Sequence, residues 1–129
     1  MMRYRGGMTM VKGLGLDLCE VSRMEKLLGD ERFMARFFSE GEIRYIRSKG
    51  RAAAQTMAGI FAAKEALAKA LGTGIAFELK DVCVVHDGKG KPEYALSGTA
   101  KDLGEGDRFF LSVTHDGGVA AAVCVREDV

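Results

Sequence analysis

Four charged side chains stand where their types and spacing could do chemistry: Asp17, Glu65 and, flanking Glu65, Lys64 and Lys69. Glu65 and Lys69 are four apart in a run rich in Ala, Leu, Lys and Glu, so on a helix they project side by side. Asp17 follows Gly13 and Gly15 at alternate positions, so on a strand it shares their bare face, which a backbone or a ligand can approach closely. Two such carboxylates fit magnesium, which takes about one or two protein carboxylates and fills its octahedron with water and substrate phosphate. Lys64 and Lys69 would supply cations near the same place. Read singly, each group has a plainer role. The carboxylates could be solvated, Lys64 could lay its stem on apolar surface with its amine in water, and Lys69 could form a weak surface pair with Glu65.

One long helix, expected over residues 51–71, must position three of these groups. Met57, Ile60, Phe61, Lys64, Leu67, Ala68 and Leu71 share one face at spacings of three and four, which makes it a core helix that Lys64 interrupts. Gly72 is a natural stop because it accepts positive φ. The C-terminal end of a helix is negative, so an anion there must be held by lysines, a metal or the Gly72-Thr73-Gly74 backbone. The aspartate belongs to a first strand over 11–18, with Leu14, Leu16 and Leu18 on the side opposite Gly13, Gly15 and Asp17.

Between strand and long helix, Val21, Met24, Leu27 and Leu28 mark an amphipathic helix ending near Gly29, and Phe33, Phe37 and Phe38 continue the core. Ser39 and Glu42 form the capping-box pattern of a short helix that Gly50 ends. After Gly74 the period changes to two. Strands are expected over 79–86 and 93–96, joined by a Gly-rich turn, and over 109–114 and 119–126 around His115-Asp116-Gly117-Gly118. Residues 99–106 read as a polar connector with room for one helical turn. The order of strand, helices and antiparallel strands predicts an α+β fold with one long core helix on antiparallel strands, carried by residues 11–129 as a single domain. Residues 1–10 read as a loose basic lead, with Met10 a second candidate start.

At 129 residues and 47% hydrophobic content the chain can bury a proper core. Nineteen basic and eighteen acidic residues leave a net charge of +1, which argues against a nucleic-acid coat. No apolar run approaches the ~20 residues of a membrane-spanning helix, and no secretory signal pattern opens the chain. Cys19, Cys83 and Cys124 form no C-x-x-C pair and read as reduced core thiols, pointing to the cytoplasm. His86 and His115 match no metal-ligand spacing.

Gly13-Leu14-Gly15 lacks the third glycine of a dinucleotide fingerprint. Ser112, His115 and Asp116 do not make a hydrolase triad, because adjacent hairpin residues do not provide that geometry by themselves. Basic residues from Arg23 through Arg51 are interleaved with acidic ones. Such a mixture is ordinarily a solvated face, and its sharper reading is a surface that steers a small acidic protein.

Four motifs fall in order: Gly13-Leu14-Gly15-Leu16-Asp17-Leu18; Phe61-Ala62-Ala63-Lys64-Glu65-Ala66 through Lys69-Ala70-Leu71-Gly72-Thr73-Gly74; Gly90-Lys91-Pro92; and Ser112-Val113-Thr114-His115. With them the chain resembles a holo-[acyl-carrier-protein] synthase, the short bacterial type of 4′-phosphopantetheinyl transferase. The resemblance implies transfer of the phosphopantetheine arm of coenzyme A to a serine of apo acyl carrier protein, releasing adenosine 3′,5′-bisphosphate, in fatty acid biosynthesis. It implies Mg²⁺ held by Asp17 and Glu65, and catalysis by Glu65, Lys69 and His115. Coenzyme A would be bound by Lys64, Lys69, Gly72, Gly90, Lys91, Pro92, Thr114 and His115. It also implies a homotrimer with clefts between subunits, and Arg23 and Arg32 receiving the acidic carrier. The acceptor of the serine proton stays open among Glu65, a metal-bound water, and His115 assisted by Asp116. Ile60 stands where some members carry arginine, and Asp116-Gly117-Gly118-Val119 replaces residues that are often bulkier or charged.

Overall fold

The computed structural model describes residues 8–74 and 76–129. Most of the expected N-terminal lead lies outside these residues. Met10, at its end, is tied down, since its N–H donates to Asp128 Oδ1 at 2.8 Å and its carbonyl accepts from the Asp128 N–H at 3.0 Å.

In chain order the elements are β1 (Val11–Glu20), α1 (Val21–Leu27), α2 (Glu31–Phe37), α3 (Glu40–Arg47), α4 (Ala53–Leu71), β2 (Val82–His86), β3 (Pro92–Leu96), α5 (Gly98–Gly104), β4 (Arg108–Asp116) and β5 (Val119–Glu127). A 3₁₀ turn, Gly50–Ala52, leads into α4, so the α-helix begins two residues later than its composition suggests. Another, Leu79–Asp81, replaces the expected start of β2. The phenylalanine-rich stretch forms a helix of its own, α2, because Asp30 Oδ1 accepts the Phe33 N–H at 3.0 Å and caps it. The capping box of α3 is present, with the Glu42 N–H donating to Ser39 Oγ at 3.2 Å and the Ser39 N–H to Glu42 Oε1 at 2.9 Å. The polar connector holds α5.

The strands form two antiparallel sheets, one ordered β1-β5-β4 and one pairing β2 with β3. Helix α4 lies across the inner face of the three-stranded sheet. It is buried on nearly every side, a central helix rather than a surface amphipathic one. Glycines permit that closeness. A Cβ on Gly13 would lie 2.0 Å from the Ala70 carbonyl oxygen, and one on Gly15 1.8 Å from that of Ala66, so only glycine lets the helix backbone rest on the strand.

The outer face of the same sheet stays open. Leu14, Leu16 and Leu18 are 64%, 60% and 66% exposed. The register sets them beside Val125, Val123 and Ala121 of β5, which pair in turn with Phe110, Ser112 and Thr114 of β4. No helix among the described residues is long and apolar enough to cross a membrane.

Candidate active site

The contact between α4 and β1 brings together Lys69 and Asp17, 52 residues apart in sequence. Lys69 Nζ donates to Asp17 Oδ1 at 3.1 Å and to the Leu16 carbonyl at 2.9 Å, so this lysine pairs with the strand rather than with Glu65 one turn away. Glu65 is half-buried, and its carboxylate takes no hydrogen bond or ion pair from the described residues. Desolvation pushes its pKa above 4.5 and the neighbouring Asp17 charge pushes the same way, while Lys69 and Arg23 oppose them. Two neighbouring carboxylates, one of them without a partner, form an oxygen-only donor set suited to a hard divalent cation. Among the described residues no three His, Cys, Asp or Glu side chains gather as a cage, so the remaining positions would fall to water or substrate oxygens, as magnesium prefers.

Glu65 also borders a cavity of about 480 Å³ walled by Phe37, Phe61 and Phe77. Arg23 lies over the Phe61 ring at 5.3 Å and Arg36 over Phe37 at 5.2 Å, so an apolar floor carries a cationic rim beside the carboxylate pair. Arg32 is exposed on α2 and does not line this cavity.

A second cavity, of about 270 Å³, opens towards the other end of α4, where Gln55, His86, Gly90, Pro92 and His115 meet. The Gln55 amide nitrogen lies 3.1 Å from His115 Nε2. Tyr45 and His86 stack with ring centres 4.1 Å apart and planes at 11°. Burial, and then the Lys49 charge, lower the pKa of His86 below 6.5. Gln55 and Glu65 are ten residues apart on one helix, roughly 15 Å at about 1.5 Å per residue. One chain therefore holds Asp17, Glu65 and Lys69 at one place and His115, Gly90 and Pro92 at another.

The remaining predicted residues are scattered. Gly72 closes α4 with φ +75° beyond Lys69, and Lys91 lines a neighbouring cavity with Arg108 and Phe110. Thr114 pairs with Ala121 and faces the outer side of the sheet, away from its neighbour His115. Lys64 corrects the expectation that it meets coenzyme A. Its side chain is fully buried, and Nζ donates to Glu42 Oε1 at 2.7 Å and to the Leu79 and Val82 carbonyls at 2.9 and 2.8 Å. Those three bonds occupy all three donors of the ammonium, leaving none for a phosphate. The amine does not reach water either, so the snorkelling alternative fails too.

Tyr45 and Gln55 escaped the sequence reading; Arg36 entered it only within the mixed charged surface, His86 only as a histidine without metal-ligand spacing, and Glu42 only as a cap and a member of that surface. The capping-box pattern named Glu42 but carried no sign that the carboxylate also turns into the core. The other four have no local pattern that marks them.

The family model described as the 4′-phosphopantetheinyl transferase superfamily matches residues 13–124. A holo-[acyl-carrier-protein] synthase of Treponema denticola is 49% identical over 92% of this chain and 99% of its own length. A Myxococcus xanthus protein of the same name is 43% identical over 91% of this chain and 95% of its own length. Among solved structures, the holo-(acyl-carrier-protein) synthase of Bacillus anthracis in complex with CoA (3′,5′-ADP) superposes with a TM-score of 0.79 at 36% identity, covering 93% of this chain and 99% of that one. The Helicobacter pylori enzyme in complex with coenzyme A gives 0.77 at 32% identity, covering 88% and 98%. Matched nearly end to end by sequence and by fold, the chain belongs to the 4′-phosphopantetheinyl transferase superfamily, alongside the holo-[acyl-carrier-protein] synthases.

Proposed function

We propose that this chain transfers the 4′-phosphopantetheine group of coenzyme A to a serine of apo acyl carrier protein, with Mg²⁺ held by Asp17 and Glu65. The observation that carries this reading is the convergence of Asp17, Glu65 and Lys69 beside an apolar cavity with an arginine rim. The serine oxygen attacks the phosphorus that bears the pantetheine arm. A new P–O bond forms to serine, the pyrophosphate P–O bond breaks, and adenosine 3′,5′-bisphosphate leaves. Lys69 neutralises charge on the phosphate oxygens. Glu65, or a water held beside it, accepts the serine proton. Bound Mg²⁺ supplies further charge neutralisation at the phosphates.

The separation of the two halves of the site supports a trimer in which the His115, Gly90 and Pro92 cavity of one subunit faces the carboxylate pair of the next. The exposed Leu14, Leu16 and Leu18 row is the surface a second copy would cover. Arg23 supports docking of an acidic carrier next to Glu65, with Arg32, exposed on α2, as a further cation for the same carrier. Residues 11–129 act as one domain, and the free thiols Cys19, Cys83 and Cys124 fit the reducing cytoplasm, where the product would serve fatty acid biosynthesis. Incubation with coenzyme A, Mg²⁺ and apo carrier protein tests the reading. Mass spectrometry should find one phosphopantetheine arm added to the carrier serine, and an unmodified carrier rejects it.

A further inference from the structure

Beneath the surface, Glu42 and Lys64 form a buried charged knot that the reaction above does not use. Their side chains are 2% and 0% exposed. Glu42 Oε1 accepts from Lys64 Nζ and from the Ser39 N–H, while Oε2 accepts from the Val84 N–H at 2.8 Å. Lys64 also holds the carbonyls of Leu79 and Val82. Burial lowers the lysine's pKa and the Glu42 carboxylate opposes that. An apolar pair of similar volume would often be as stable or more so, which makes stability alone a weak explanation for keeping two charges here.

The elements the knot joins suggest its use. Ser39 starts α3, Lys64 sits in the middle of α4, and Leu79, Val82 and Val84 enter and occupy β2. Among the described residues, strands β2 and β3 pair only with each other and share no ladder with the main sheet. Besides apolar packing, which is not directional, the hairpin is tied to α4 by this knot and by the Tyr94 hydroxyl donating to the Ala63 carbonyl at 2.6 Å. That hairpin carries Val84, His86, Gly90 and Pro92, all walls of the His115 cavity.

We propose that Glu42 and Lys64 are positioning residues for the coenzyme: their knot fixes the height of the β2–β3 hairpin on α4, and thereby the shape of the His115 cavity. This rests on the reading that the cavity takes part of coenzyme A. The knot bonds neither the Asp17 and Glu65 carboxylates nor Arg23, and although the Leu79 it holds also lines the Glu65 cavity, four walls of the His115 cavity ride on the hairpin it ties down, so loosening it acts chiefly on the coenzyme.

Two variants separate positioning from stability. Glu42→Gln keeps one oxygen for Lys64 and Ser39 but presents an amide NH₂ to the Val84 N–H, releasing β2 at Val84 while Lys64 still holds Val82. Glu42→Leu with Lys64→Met replaces the whole pair by apolar side chains. Calorimetry with coenzyme A should show affinity at least ten-fold weaker in each variant. The carrier-protein KM should change less than two-fold, Tm of the double variant should be at or above wild type, and the Val84 amide of Glu42→Gln should exchange faster. Wild-type coenzyme affinity in a folded variant overturns the proposal, and so does an equal loss for both substrates. If the double variant does not fold, Glu42→Gln decides alone by the same criteria. Affinity is read without turnover, so a wild-type chain that binds coenzyme A but transfers nothing refutes the transferase reading and leaves this one standing.

Discussion

The helix backbone at Ala66 rests directly on the strand backbone at Gly15: a Cβ there would lie 1.8 Å from the Ala66 carbonyl oxygen. Backbone cannot yield as a flexible side chain can, so Gly15→Ala must push α4 off β1. We expect destabilisation of about 3 kcal/mol or more, towards the upper end of overpacking costs. Thermal denaturation should show Tm lower by roughly 10 °C, the scale such a loss implies for a domain of this size. An unchanged Tm would contradict the close contact.

That contact places Lys69 on Asp17 at 3.1 Å and Glu65 beside them. Removing Lys69 as Met, or Glu65 as Gln, should lower kcat by at least about 100-fold, the order seen when one charge-stabilising group is lost. Mg²⁺ should raise the Tm of the wild type but not that of an Asp17→Asn, Glu65→Gln double variant. Equal stabilisation of both by Mg²⁺ would place the cation elsewhere.

The raised pKa of Glu65 has a sign that denaturation can read. A carboxyl whose pKa is higher in the folded state binds its proton more tightly there, so its contribution favours folding at low pH. That contribution is lost as pH rises from the ordinary 4.5 through the raised folded value. In chelator, the stability of wild type relative to Glu65→Gln should therefore fall with rising pH across that window. Added Mg²⁺ should reverse the trend by favouring the ionised pair. A difference that rises with pH in chelator would mean that the environment of Glu65 is not the one described.

Arg23 lies over Phe61 at the rim of the cavity that Glu65 borders, away from His115. Arg23→Glu should raise the carrier-protein KM about ten-fold or more, a loss of roughly 1.4 kcal/mol, while the coenzyme A KM moves less than two-fold. Steady-state kinetics with each substrate varied in turn makes the comparison. Equal effects on both would merge the two surfaces.

The open leucine row of β1 gives the assembly its test. Leu16→Asp puts a charge at the centre of an apolar face, where burial against another copy would leave it unpaired. Light scattering should show a wild-type trimer reduced to monomers, with transfer lost alongside. A fully active monomer would remove the need for a neighbour.

Much of this was legible in the chain itself because it depends on near neighbours. Glycine, glycine and aspartate at alternate positions mark a bare strand face. Ser39 and Glu42 cap a helix within one turn, Gly72 ends another, and Glu65 and Lys69 sit one turn apart. Each is set by local backbone geometry, which a few consecutive residues determine. The four ordered motifs carried the family in the same way.

What only the tertiary structure decided is where those side chains go once distant segments meet. Lys64 and Glu65 are adjacent, yet one is sealed in the core by Glu42, Leu79 and Val82 while the other borders an open cavity. Thr114 and His115 are adjacent too, and the pleat sends them to opposite faces of the sheet. Lys69 takes Asp17, far away in sequence, over Glu65 one turn away. Local pattern sets the direction in which a side chain leaves the backbone. Only the packed structure sets which acceptors, charges and solvent it then meets, because those arrive on elements that the chain has to bring together first.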